Sequence, residues 1–236
     1  MRFSLLAALA AAGLLILASL APVHTAGAQD GPDRLKAVLA QMDAGSAKFH
    51  SAEAKIEKQQ FEKIVNDTTT ESGTIYFLRN GNSIQMGAKF SAPNEQTLEY
   101  KNGLGRLYSA GTNHIDTIST SGANQARADA FLTLGFGGSG SDLAKAWMIT
   151  DQGTEQMSDG TRKVEVEKLD LVPKEESVRG SFTHITIWVD PVRDVLLKQE
   201  FFTPSGDTQT AIYTNIRLNQ PIDLKAFAIK CKGKCS

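Results

Sequence analysis

The stretch 71–90, ESGTIYFLRNGNSIQMGAKF, reads as two strands and the turn between them. Ile75, Phe77 and Arg79 fall on one side of an extended chain and Tyr76 and Leu78 on the other, since side chains alternate with a period of two. Asn80 and Gly81 are turn residues. Ile84, Met86, Ala88 and Phe90 then alternate with polar or small residues until Pro93. The outcome is a hairpin with one apolar face.

The same pattern extends in both directions. Upstream, Ala52, Ala54 and Ile56 alternate with Glu53, Lys55 and Glu57 in a segment running towards Val65, and Asn66 and Asp67 turn the chain back. Downstream come Leu98 and Tyr100, a turn at Asn102 and Gly103, and segments around Leu107 and 115–118. Further strands are expected at 163–171, 182–190, 195–202 and 210–218, with turns at 159–160, 191–194 and 205–206. Short, regularly punctuated strands without crossover helices imply an antiparallel sheet closing towards a barrel.

Two segments break the period. Leu35, Val38, Leu39 and Met42 recur at helical spacing behind Pro32 and Asp33, and Gly45 and Ser46 end the run. Residues 124–134 are also helical in pattern, with Ala128, Phe131 and Leu132 on one side. GFGGSGS (135–141) interrupts them, and Asp142 opens a short helix through Leu143, Ala146 and Trp147. Both helical segments, 33–46 and 124–147, are expected to pack on the concave side of the sheet. No linker divides the chain, so residues 29–236 form one domain.

The first residues specify an address. Met1 and Arg2 precede an apolar run over 5–20, and Ala26-Gly27-Ala28 is an A-x-A cleavage signature. This is the order of a secretory signal peptide, here 1–28. The cleavage region holds no cysteine, so a lipidated N-terminus is not expected. With 25 basic and 26 acidic residues in all, the mature chain carries about −2, which does not suggest nucleic acid. Cys231 and Cys235 suit a small disulfide loop in an oxidising compartment; at helical spacing their Cα atoms would lie roughly 6 Å apart, within bridging range.

A search for chemistry returns little. His50, His114 and His184 are isolated, with no paired carboxylates or metal-ligand spacing, so neither a metal nor a cofactor is expected, and no enzyme. Gly135, Gly137 and Gly140 satisfy G-x-G-x-x-G, but the preceding segment reads as helix rather than the strand of a dinucleotide site. A hinge built from Gly135, Gly137, Gly138 and Gly140 explains the run better.

Four stretches, taken in order, resemble the periplasmic lipoprotein carrier family, the LolA/LolB-like superfamily. KFHSAEAKIEKQ (48–59) is similar to its first long strand, and ESGTIYFLRNGNSIQM (71–86) to its strand pair. SAPNEQTLEYKNGLGRLY (91–108) resembles the proline, strand, turn and strand that follow. HITIWVDPVRDVLLKQEFFTPSGDTQTAIYTNIRLN (184–219) resembles the closing hairpins.

The resemblance implies an incomplete antiparallel β-barrel whose helices form a lid. It implies a soluble carrier that holds the acyl chains of lipoproteins between an inner-membrane release complex and an outer-membrane acceptor. Such a carrier would be a monomer touching membranes only transiently. A lipid-binding or lipoprotein-sensing module on the same fold is the alternative. In this reading Ile75, Phe77, Ile84, Met86 and Phe90 line the cavity, and Leu35, Phe131 and Leu132 come from the lid. Arg79 matches the arginine that the family uses in lid closure and cargo handover, although Asn80 stands where the family has proline.

Overall fold

The computed structural model describes residues 31–81, 83–91, 93–120 and 130–235. The signal peptide and the first part of the 124–134 helix expected from sequence lie outside these residues.

Eleven strands form one sheet: β1 (Ser51–Glu62), β2 (Asp67–Asn80), β3 (Ser83–Phe90), β4 (Gln96–Lys101), β5 (Leu104–Ser109), β6 (His114–Ser119), β7 (Trp147–Ser158), β8 (Lys163–Pro173), β9 (His184–Asp190), β10 (Val195–Phe202) and β11 (Thr208–Leu218). Their order is β6-β5-β4-β3-β2-β1-β11-β10-β9-β8-β7, and every pairing is antiparallel. The sheet is thus two meanders zipped together where β1 meets β11. It does not close, since β6 and β7 remain its edges.

The hairpin pairs as its alternation requires, with Ile75 opposite Ala88, Phe77 opposite Met86 and Arg79 opposite Ile84. Asn102 and Gly103 both take positive φ, 52° and 74°, as a tight two-residue hairpin turn demands. Two elements differ from expectation. Trp147 opens β7 rather than ending a helix, and β7 itself is a twelve-residue strand where none was expected. Register shifts between Asp151 and Thr154, and between Leu196 and Lys198, mark bulges that bend the sheet.

Helices α1 (Gly31–Ser46) and α2 (Gly140–Ala146), with a helical turn at 130–132 and tight turns after it, cover the inner face. Val38 and Met42 of α1, Leu134 and Phe136, and Leu143 of α2 join Ile75, Phe77, Leu171, Ile187 and Leu197 from the strands in one buried cluster. In a flat sheet β2 and β7 would stand roughly 29 Å apart. Yet Phe136 packs on Phe77 of β2 at 5.0 Å and Phe131 on Trp147 of β7 at 6.4 Å between ring centroids. The six residues 131–136, in compact turns, reach both, so the sheet curls around them. Arg34 ties α1 to the far half through ion pairs with Asp151 and Glu167.

Of two further short helices, α3 (Glu176–Arg179) adds buried Val178 to this core, and a 3₁₀ turn at Leu224–Phe227 lies outside it. Cys231 and Cys235 are joined, with Cα atoms 5.5 Å apart. The loop is a bend turned by Gly233 (φ 78°), not a helix as the spacing estimate assumed. Among the described residues no helix is long and apolar enough to cross a membrane, and no cluster of three or more His, Cys, Asp or Glu could hold a metal.

Candidate functional site

The cover segment 130–139 is fastened by its own polar groups, each met by a side chain from outside it. The indole Nε1 of Trp147 donates to Thr133 Oγ1 at 3.0 Å. Buried Gln199 on β10 donates from Nε2 to the carbonyl of Leu134 and accepts from the Tyr213 hydroxyl at 3.0 Å. Burial pushes the Tyr213 phenol far above its ordinary range, so it remains a donor.

The third fastening is Arg79. Its Nη1 donates to the carbonyl of Ser46 at 2.8 Å; its Nη2 donates to Ser46 Oγ at 3.1 Å and to the carbonyl of Gly137 at 2.6 Å. Ser46 Oγ donates in turn to the Gly137 carbonyl at 2.7 Å. One guanidinium therefore gathers the C-terminal end of α1, where the helix dipole is negative, and the glycine turn of the cover. It also lies 5.6 Å from the centre of the Phe49 ring, within cation–π range. Charge-assisted bonds of this kind contribute about 1.5–3 kcal/mol each where water is excluded.

A buried carboxyl sits beside this latch. Asp194, in the turn between β9 and β10, is 3% exposed, and its Oδ2 has no hydrogen-bond partner among the described residues. Its carbonyl accepts the Gly137 N–H at 3.4 Å. Burial pushes its carboxyl up to about 7; Arg79 opposes that shift and Asp43 of α1 reinforces it.

Next to the latch lies a cavity of about 760 Å³, walled by Arg79, Ile84, Tyr100, Leu132, Phe136 and the glycine turn, with Asp142, Lys145, Lys174 and Glu175 among its polar lining. That volume falls within the ~300–1,000 Å³ usual for small-molecule sites. Of the expected wall residues Ile84 borders this cavity, together with Arg79 of the latch and Leu132 of the cover. Ile75, Phe77 and Phe90 are buried in the core instead, and Leu35, Met86 and Phe131 pack against it. The cover's Phe136 occupies the space in front of Phe77. Phe136, the one large residue within the glycine run, does more than any residue singled out from sequence: it walls the cavity and packs on Phe77 and Tyr213.

The glycines are sites of close approach. A Cβ on Gly137 would stand 2.3 Å from the Phe49 ring, one on Gly138 2.3 Å from the Thr133 carbonyl oxygen, and one on Gly140 2.2 Å from that of Leu39. A Cβ on Gly135 would meet the Phe77 ring at 2.9 Å. Gly140 lies within α2, where it lets that helix rest on the backbone of α1.

No protein-family model and no curated protein sequence matches this chain. Solved structures do. MucB is similar at a TM-score of 0.53 and 10% identity over 86% of this chain and 64% of the MucB chain. An uncharacterised conserved protein from Thermus thermophilus is similar at 0.51 and 8% identity, covering 84% of this chain and 94% of its own. A LolA superfamily protein from Nitrosomonas europaea covers 83% and 97% at 13% identity, with a TM-score of 0.39 too low to carry weight. Identities this small speak to architecture only. Taken with the strand order, the open edges and the helical cover, they give the chain the architecture it shares with MucB and the Thermus protein, an open antiparallel half-barrel with its inner face covered by helices.

Proposed function

We propose that this protein is an exported periplasmic carrier that holds the acyl chains of lipoproteins in the half-barrel, between an inner-membrane release complex and an outer-membrane acceptor. The observation that carries the reading is the Arg79 latch: it pins an apolar cover over an apolar wall beside a ready cavity. A latch of a few hydrogen bonds suits a cover that must come off. One chain of about fifteen methylenes, fully dehydrated, contributes roughly 12 kcal/mol, and three would exceed the ~20 kcal/mol ceiling of reversible affinity. A cover that fills the wall when cargo is absent lowers the net gain, because cargo must displace Phe131, Leu132 and Phe136.

The test is titration with a fluorescent fatty-acyl probe. Wild type should bind; Ile84→Glu, which places a charge on the half-buried cavity wall, should bind at least tenfold more weakly; the surface variant Glu95→Gln should match wild type. Arg79→Leu should load cargo but deliver it poorly to an acceptor. Equal binding by the first three, all folded by circular dichroism, would reject the acyl site.

A second reading of the same covered wall is a module that senses lipid or lipoprotein and signals to a membrane partner, with the latched cover as its switch. Protein purified from its own periplasm separates the two: acylated polypeptide seen by native mass spectrometry supports the carrier, and a stable membrane-protein complex without cargo supports the sensor.

A further inference from the structure

The outer face of the sheet carries a charge pattern that neither the cavity nor the cover uses. Register puts Lys89 of β3, Lys101 of β4 and Arg106 of β5 on the same face as Tyr76, since Lys89 lies opposite Thr74 and Thr97, Lys101 opposite Leu104, and Arg106 opposite Glu99. All three cations are exposed. After β11 the chain folds back across this face. Phe227, buried, packs edge-on against Tyr76 at 4.7 Å, and the Ile229 N–H donates to Glu99 at 2.9 Å.

The tail ends in the disulfide loop, which Asn113, in the turn between β5 and β6, holds by its backbone. Asn113 Oδ1 accepts the Lys232 N–H at 2.9 Å, and its Nδ2 donates to the carbonyls of Lys232 and Lys234 at 3.3 and 3.0 Å. The Tyr108 hydroxyl fixes the amide by donating to Oδ1 at 3.0 Å. Covalent closure and this grip together make the loop a rigid platform.

What the platform displays is positive charge. From Leu224 to Cys235 there are four lysines, Lys225, Lys230, Lys232 and Lys234, and no acidic residue, in a chain whose net charge is −1. All four are exposed, and among the described residues none is ion-paired with a carboxylate. On the strands below, Glu99 is already engaged by Arg106.

We infer that this basic outer face, with the disulfide loop as its tip, docks the protein on the anionic headgroups of a phospholipid bilayer. The pattern favours a lipid surface over an acidic protein segment for two reasons. With Arg106 spent on Glu99, the six cations that remain are all lysines, point charges on flexible stems, whereas planar recognition of single carboxylates favours arginine. They are also spread over two strands and the tail rather than lined up along one groove. Docking by the outer face leaves the cover on the inner face free to open. The inference rests on the carrier reading for its setting, but the contact is measured without acyl cargo, so either can fail alone.

The experiment is co-sedimentation of the purified chain, without its leader, with vesicles of phosphatidylcholine mixed with phosphatidylglycerol, against phosphatidylcholine alone. Binding should require the anionic lipid and should fade at ~1 M salt, where the screening length falls to about 3 Å. Each lysine near such a surface is worth about fivefold in partitioning. The combined Lys230→Gln, Lys232→Gln, Lys234→Gln variant should therefore lose on the order of 100-fold, and the same three changed to Arg should keep wild-type binding. Ile84→Glu should bind these vesicles like wild type even where it fails with the acyl probe. Equal binding to both vesicle types, or undiminished binding by the triple Gln variant, overturns the proposal. So does capture of a polyglutamate peptide with no binding to either vesicle, which would assign the face to a protein partner.

Discussion

The two halves of the sheet are built to different standards. On β8, β9 and β10 the inward residues Leu169, Leu171, Ile185, Ile187 and Leu197 are 0–1% exposed, sealed beneath Trp147 and the edge-to-face pair of Phe131 and Phe182. On β3 to β6 the inward residues Ile84, Leu98, Tyr100 and Leu107 are only half-buried, and Ile118 is 60% exposed. The cavity opens on this second half. One meander is a finished core; the other is a wall left partly uncovered. Stability and binding are thus assigned to different strands of one continuous sheet, and a bound chain can rearrange the second without loosening the first.

The sharpest way to break this comparison is to truncate one leucine in each half. Leu171→Ala should cost about 2–5 kcal/mol, the usual range for a fully buried leucine, and Leu98→Ala about 1 kcal/mol or less, read from denaturation midpoints. Similar costs would mean that the halves are equally packed.

Next in size is a pH effect on the cover. Asp194 is enclosed by α1 and the glycine turn: a Cβ on Gly45 would stand 2.5 Å from its Cβ. Arg79 from β2 and Asp43 from α1 are the charges that face it. While the cover is closed its carboxyl titrates at about 7; once the cover lifts and water enters, it returns towards 3.8. A raised pKa means that the closed state binds the proton more tightly, so closure is favoured at low pH. That advantage falls about tenfold per unit as pH rises from roughly 4 to 7 and is flat above. Protection factors in α1, which remove the intrinsic pH dependence of amide exchange, should fall across that window while those in β9 hold, and Asp194→Asn should flatten the α1 profile. A flat wild-type profile would show that Asp194 stays buried when the cover moves.

The smallest expected effect is that of Gly140→Ala. It forces α2 off α1 and should cost about 1–3 kcal/mol, with acyl-probe binding tightened because the cover competes less well. Weaker binding would show that α2 is part of the wall rather than part of its competitor.

The hairpin 71–90 was legible because a period of two puts Arg79 on its apolar inner face; its register was not, since Asn80, expected in the turn, pairs with Ser83 at the end of the ladder, and a shift of two residues would keep the same faces. Strand β7 was not. Its WMITDQGTEQMS is largely polar, it pairs on one side only, and the bulge between Asp151 and Thr154 breaks its period. Asp194 read as a turn residue, as it is; its burial arises from Gly45 and Gly137, distant in sequence, closing over it. The path of the tail was hidden for the same reason, since Phe227 finds its place only against Tyr76. Phe136 left a trace that could have been followed, a single aromatic residue among glycines.

The junction of β1 and β11 also bears on how the molecule is made. Ala52 pairs with Leu218, so the seam at the middle of the sheet joins residues from opposite ends of the domain. The meander β1 to β6 can assemble from local hairpins, but the open side of β1 keeps its unpaired backbone until the last strand has been synthesised. Loop closure on that scale makes the final step slow, and a long exposed strand edge is an invitation to pair with another chain. The nascent protein therefore needs protection at the very strand that its mature form places at the centre of the sheet, and growth temperature or overexpression should reveal this as aggregation before any loss of native stability is seen.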